Sequence, residues 1–113
     1  MAERYRTYQE FWPFYVSQHM NPTNRALHFV GTSLVWACLL GALLVSTAWL
    51  GAAPVAGYTF AWVGHFFFER NRPATFSYPL WSLRGDFRMF RLTLLGRMAP
   101  ELERASQGIS TQA

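Results

Sequence analysis

Formal charge is missing from the middle of this chain. No Asp, Glu, Lys or Arg occurs between Arg25 and Glu69, so residues 26–68, 43 positions, carry no formal charge. A soluble helix needs a polar face along its length, whereas each helical crossing of a bilayer needs about 20 apolar residues. The gap therefore excludes an ordinary globular domain, and its length is that of two crossings and a turn. Bulk figures conceal this, since 51% hydrophobic residues and a mean hydropathy of +0.05 describe an average soluble chain.

Lysine is absent as well. All ten basic residues are arginine, which with six acids gives a formal charge of +4 and a pI near 9.8. Arginines flanking a long apolar run mark the cytoplasmic ends of a membrane protein, so the anionic partner they indicate is the membrane surface and not nucleic acid. Cysteine is limited to Cys38 in mid-run. It excludes an internal disulfide and has no neighbours that would activate a thiolate. A secretory signal peptide is excluded by the polar and aromatic residues ahead of the run and by the second apolar segment after it.

Aromatics are plentiful at 18%. Trp12, Phe14 and Tyr15 precede the first crossing, and Phe66, Phe67, Phe68, Tyr78 and Trp81 follow the second, where an interfacial belt belongs. The pattern predicts an all-α membrane protein, a single domain over 1–113. It consists of a two-crossing helical hairpin with flanking interfacial amphipathic helices.

A helix over 4–19 shows one apolar face, Tyr8, Phe11, Trp12, Tyr15, Val16 and His19, with Pro13 as a kink. Asn21 caps and Pro22 starts a first crossing over 22–50. Gly51, Ala52, Ala53 and Pro54 read as the hairpin turn, with the second crossing over 54–70. Ser33, Ala37 and Gly41 form a small-residue stripe on one crossing, and Gly57, Ala61 and Gly64 form another. The two stripes let the helices approach closely and leave surface for a homodimer. After an irregular aromatic stretch, Asp86 is placed as the cap of an amphipathic helix over 86–97. Phe87, Phe90, Leu94, Leu95 and Met98 make its apolar face, and Arg84, Arg88 and Arg91 its basic side. The tail over 107–113 reads as disordered. All ten arginines lie on the two tails and none in the connecting turn, which predicts an integral membrane protein with both termini cytoplasmic.

Histidine is scarce, and its placement is informative. His19 ends the first helix, His28 opens the first crossing and His65 lies near the close of the second. In an antiparallel hairpin all three come out toward the cytoplasmic side, where three neutral imidazoles make a site for zinc or non-haem iron. Glu69, four residues after His65, is placed either as a fourth ligand or as acceptor of the imidazole N–H, and Asn24 stands in the same relation to His28. Arg25, Arg70 and Arg72 are candidates for binding lipid headgroups or a substrate carboxylate. The bland alternative for each histidine is a ring that hydrogen-bonds a nearby carbonyl or carboxylate. One geometric objection stands. Measured from a turn near residue 52, His28 is 24 residues away and His65 only 13. At ~1.5 Å per residue this is a difference in height of roughly 16 Å.

The residues also carry a resemblance. Phe11-Trp12-Pro13-Phe14-Tyr15, His19, Asn21-Pro22, Asn24-Arg25, His28 and Gly31-Thr32, with Gly64-His65, Phe68-Glu69, Asn71-Arg72-Pro73 and Pro79-Leu80-Trp81-Ser82, resemble the membrane family of 2-hydroxy fatty acid dioxygenases. The resemblance covers residues 11 to 97. It implies iron(II)-dependent removal of one carbon from long-chain 2-hydroxy fatty acids by dioxygen, that is, fatty acid alpha-oxidation. The metal ligands would be His19, His28 and His65, with Glu69 and Asn24 orienting them and Arg25 or Arg72 pairing with the substrate carboxylate. Likeness to the short bacterial-type members implies the bacterial inner membrane. Two rivals remain open: a non-catalytic small membrane protein that binds lipid or a partner, and a different metal-dependent membrane enzyme. Three histidines are too few for a di-iron desaturase.

Overall fold

The computed structural model describes residues 5–112, with side chains to Gln107, and within them the chain is all-helical. Helices α1 (Tyr8–Ser17), α2 (Pro22–Leu44) and α3 (Trp49–Val63) are followed by a π-helical turn (Gly64–Glu69) and a 3-10 turn (Ala74–Phe76). Helices α4 (Pro79–Leu94) and α5 (Ala99–Gln112) complete the chain. The elements form two compact units, one gathering α1, α4 and α5, the other α2, α3 and the π turn.

The α2–α3 unit is a helical hairpin. Its start is set as the sequence predicts: Asn21 Oδ1 accepts the backbone N–H groups of Thr23 and Asn24, and Pro22 occupies the first position. Its turn is not where the sequence reading placed it. The chain reverses at residues 45–48, six residues early, and Pro54 lies inside α3. A polar residue that passes unnoticed in an apolar run helps make the turn. Ser46 Oγ accepts the N–H of Ala48, and the Val45 and Ser46 N–H groups both reach back to the Gly41 carbonyl. Gly41 also gives Trp49 its place, since an added Cβ would stand 2.9 Å from Trp49 Cγ.

The inner face of the hairpin is small and polar. Asn24, His28, Gly31, Thr32 and Cys38 of α2 are buried, as are Ala53 and Ala61 of α3. Gly31 meets the Gly57 backbone and Gly57 meets Val35, so the close approach does use Gly57 and Ala61. The expected α2 stripe is displaced. Ala37 is exposed and Ser33 Oγ is turned back to the Phe29 carbonyl. Large apolar side chains point outward instead, among them Leu34, Trp36, Leu40 and Leu43, the last 79% exposed. Among the described residues α2 is the one helix long and apolar enough to cross a membrane. The fifteen residues of α3 span only ~22 Å at ~1.5 Å each, against a hydrocarbon core of about 30 Å.

The other unit has an aromatic core. Thr7 Oγ1 caps α1 by accepting the Glu10 N–H. The face predicted for this helix is the buried one, Tyr8, Phe11, Trp12, Tyr15 and Val16, and it is covered by protein. Phe11 is fully buried, with ring centroids 5.1 Å from Tyr78 and 5.7 Å from Trp81. Arg84 lies 4.0 Å over Tyr8 and Arg88 4.2 Å over Trp12, so part of the expected basic face caps the core by cation–π contact.

Three predicted boundaries are corrected here. Helix α1 begins at Tyr8, Arg4 lying outside the described residues. Helix α4 begins at Pro79, which leaves Asp86 in mid-helix and not at a cap. It ends at Leu94 with Leu95 as its cap, and Gly96 beyond it, φ +69°, allows the reversed N–H bonds of Gly96 and Arg97 to Thr93 and Leu92. Residues expected in a disordered tail belong to α5, which runs to Gln112, Ala113 lying outside the described residues. Helix α5 is tied down by Trp12, whose Nε1–H donates to Glu101 at 2.8 Å, and by buried Met98 and Ala105.

Asp86 instead accepts the hydroxyl of Tyr15. Burial raises its carboxyl to about 7, partly opposed by that hydrogen bond. A carboxyl that holds its proton more tightly in the folded state contributes stability at low pH, and the contribution is lost as pH rises through the folded value. In detergent, the melting temperature of the wild type minus that of Asp86→Asn should therefore fall as pH rises from about 4 to about 7. Parallel melting curves across that range would contradict this.

Candidate metal centre

Each histidine is oriented by a local acceptor. His19 lies in the short link between α1 and α2, where its Nδ1–H donates to the Tyr15 carbonyl at 2.6 Å. His28, in the second turn of α2, donates from Nδ1 to the Asn24 carbonyl at 2.9 Å. His65, second residue of the π turn, has Nδ1 2.6 Å from Asn71 Oδ1. With an oxygen acceptor facing each Nδ1, the proton sits there and the basic lone pair sits on Nε2. All three rings are buried, and the candidate ligand atoms of His19, His28 and His65 lie within 4.8 Å of one another.

The height objection disappears with the turn. The midpoint of residues 45–48 lies 18.5 residues from His28 and 18.5 from His65, so the two histidines stand level across the hairpin. Their rings meet edge to face with centroids 4.8 Å apart.

The π turn explains how Glu69 and Asn71 share their tasks. Its bonds run i→i+5, so a residue four positions on no longer stacks over His65. The N–H groups of Arg70 and Asn71 both close on the His65 carbonyl, Arg70 adopting φ 60° to do so. Asn71 thereby takes the imidazole-orienting role that the sequence reading gave to Glu69. Glu69 Oε1 accepts the Asn21 backbone N–H at 2.8 Å and the Asn24 side-chain amide at 3.1 Å. The group of donors able to hold a metal does not include it. Asn24 orients His28 through its backbone carbonyl, while its side chain serves Glu69. Its buried Oδ1 has no hydrogen-bond partner and lies against Gly64.

The arginines are placed less closely. Arg25 is partly buried and feels the charge of Glu69. Arg72 is exposed and, with Phe66, Phe67, Arg70 and Asn71, lines a cleft of about 590 Å³. Sequence reasoning missed the roles of Asn71 and Gly64. The one signal for Asn71 was its position six residues after His65, and that spacing brings an amide to an imidazole only across a π turn.

The family described as 2-hydroxy-palmitic acid dioxygenase Mpo1-like matches residues 5–98. The chain belongs to that family. Neither a curated protein nor a solved structure matches it. In this Mpo1-like chain the matched stretch holds all three histidines together with Asn24, Glu69 and Asn71, and it ends before α5. Three buried imidazoles with lone pairs on Nε2 suit zinc or non-haem iron.

Gly64 is the most exacting position of the hairpin end. A Cβ there would lie 2.1 Å from Asn24 Oδ1, so any side chain displaces Asn24 and breaks its bond to Glu69. Gly64→Ala should destabilise the protein by about 2–3 kcal/mol in denaturant titration. Gly51→Ala is the control, since nothing lies within 4 Å of an added Cβ there, and it should stabilise by about 0.5–1 kcal/mol. Equal effects of the two would refute this account of Gly64.

Proposed function

We propose that this protein is an integral-membrane, iron(II)-dependent dioxygenase that removes one carbon from long-chain 2-hydroxy fatty acids. The observation that carries the reading is the group of three buried histidine donors, in a chain whose family is named for a 2-hydroxy-palmitic acid dioxygenase. His19, His28 and His65 would hold the metal. It would supply a site where substrate and dioxygen meet. Asn71 orients His65, the Asn24 carbonyl orients His28, and Glu69 braces the end of the hairpin on which both rings stand. One dioxygen balances the conversion of a 2-hydroxy acid to the acid one carbon shorter, carbon dioxide and water, without a further reductant.

Support for the membrane comes from the outward apolar surface of the hairpin and from the length of α2. The membrane would be the bacterial inner membrane, as the likeness to short bacterial-type members implies, and the arginine distribution supports both termini being cytoplasmic. The acyl tail of the substrate would lie in the bilayer and its carboxylate at headgroup level, where Arg25 or Arg72 would pair with it. Copies of the hairpin could pair as a homodimer through small residues left on its surface, such as Ala37.

Protein purified anaerobically in detergent should hold about one iron per chain. His19→Ala, His28→Ala and His65→Ala should each lose it, together with oxygen uptake on 2-hydroxypalmitate. Retention of metal and turnover in all three variants would refute the assignment. A wild type that takes up no iron(II) would leave a lipid-binding hairpin as the better description.

A further inference from the structure

Three contacts converge on Tyr15, one turn before His19. The Tyr15 ring stacks on the His19 imidazole, centroids 4.1 Å apart with 23° between the planes. Its backbone carbonyl accepts the His19 Nδ1–H at 2.6 Å. Its hydroxyl, at the far end of the ring, donates to Asp86 on α4. The neighbouring Gly85 makes room for the ring, since a Cβ there would stand 2.9 Å from Tyr15 Cδ2. Tyr15 is fully buried and His19 is 1% exposed. Burial first, then the charge of Asp86, raises the Tyr15 phenol well above its usual range, so its O–H remains a donor.

A tyrosine ring held at its carbonyl end alone would still rock about its side-chain torsions. Held at both ends, it presents a fixed plane, and an imidazole stacked on that plane and tied to the same residue's carbonyl has one orientation. We propose that Tyr15 and Asp86 are positioning residues for His19, a rigid seat that fixes the plane of its imidazole and with it the direction of the Nε2 lone pair. The proposal rests on the metal-binding reading of His19. It gives an ion-binding consequence to a buried tyrosine–carboxyl pair that the proposed chemistry does not otherwise use. Groups that fix the plane of a ligating imidazole typically contribute 10–100-fold in metal affinity.

The test is cobalt(II) titration of the metal-free, detergent-solubilised full chain, followed by visible absorption, with circular dichroism to verify folding. Tyr15→Phe keeps the ring and the backbone carbonyl and removes only the hydroxyl. Asp86→Asn keeps an acceptor for that hydroxyl, and Asp86→Val removes it. Tyr15→Phe and Asp86→Val should bind cobalt(II) roughly 10–100-fold more weakly and shift the absorption of the bound ion. Asp86→Asn should remain near wild type. If Asp86→Val does not fold, Tyr15→Phe decides. Wild-type affinity and spectrum in folded Tyr15→Phe, with binding lost in His19→Ala, would overturn the positioning role and leave the metal reading standing. Undiminished binding in His19→Ala would overturn both.

Discussion

The Glu69 carboxylate clasps the open end of the α2–α3 hairpin. One of its oxygens accepts the Asn21 backbone N–H, at the residue that caps α2, and the Asn24 side-chain amide one turn further on. Hydrogen bonds to an ionised acceptor contribute about 1.5–3 kcal/mol each. These two tie the last residue of the π turn to the first turn of α2. With the chain reversal at 45–48 holding the other end, the register between the helices has no slack, and His28 must stand opposite His65. The intimacy required at Gly64 follows from the same clasp, because the amide that reaches Glu69 occupies the space where a side chain would be.

Each histidine finds its orienting partner in the covalent neighbourhood of its own helix end. His19 and His28 both use the carbonyl four residues earlier, an acceptor that any α-helix offers to a suitably rotated imidazole. His65 sits where the helix widens, and there a side-chain amide, Asn71, performs the task. The tautomers are therefore set by the fold before any ion arrives, which is the kind of preorganisation a metal centre needs. It also accounts for burying three imidazoles: as neutral rings, each with its N–H satisfied, they avoid the desolvation of a charge.

The two units solve different packing problems. In the α1–α4–α5 unit, large rings go inside and arginines close over them, as expected where the surroundings are polar. In the hairpin, glycine, alanine, cysteine and threonine go inside, and leucine, valine and tryptophan go outside. That inversion is what the proposed bilayer location requires, because helices that share apolar surroundings gain from close backbone approach and not from hiding leucine.

Much of this was legible in the chain itself. The charge-free run, the Asn21–Pro22 start, the aromatic face of α1 and the convergence of His19, His28 and His65 rest on residue type and short-range spacing, which local physics fixes. The position of the turn was not legible, because Ser46 and Thr47 look like tolerated polar residues in an apolar run, whereas Gly51 to Pro54 look like a break. Nor was the exchange of roles between Glu69 and Asn71, since sequence spacing presumes an α-helix and the π turn shifts every contact beyond it. Helix α5 escaped because its few anchors, Glu101, Leu102 and Ala105, acquire meaning only against α1. Asp86 passed for a cap because its true partner, Tyr15, lies 71 residues away. Residue type and spacing alone singled out His19, His28 and His65 as the side chains that could bind a metal. The register that sets His28 level with His65 came from the folded hairpin, because it depends on contacts such as Glu69 to Asn21 and Asn24, 45 residues or more apart in the chain.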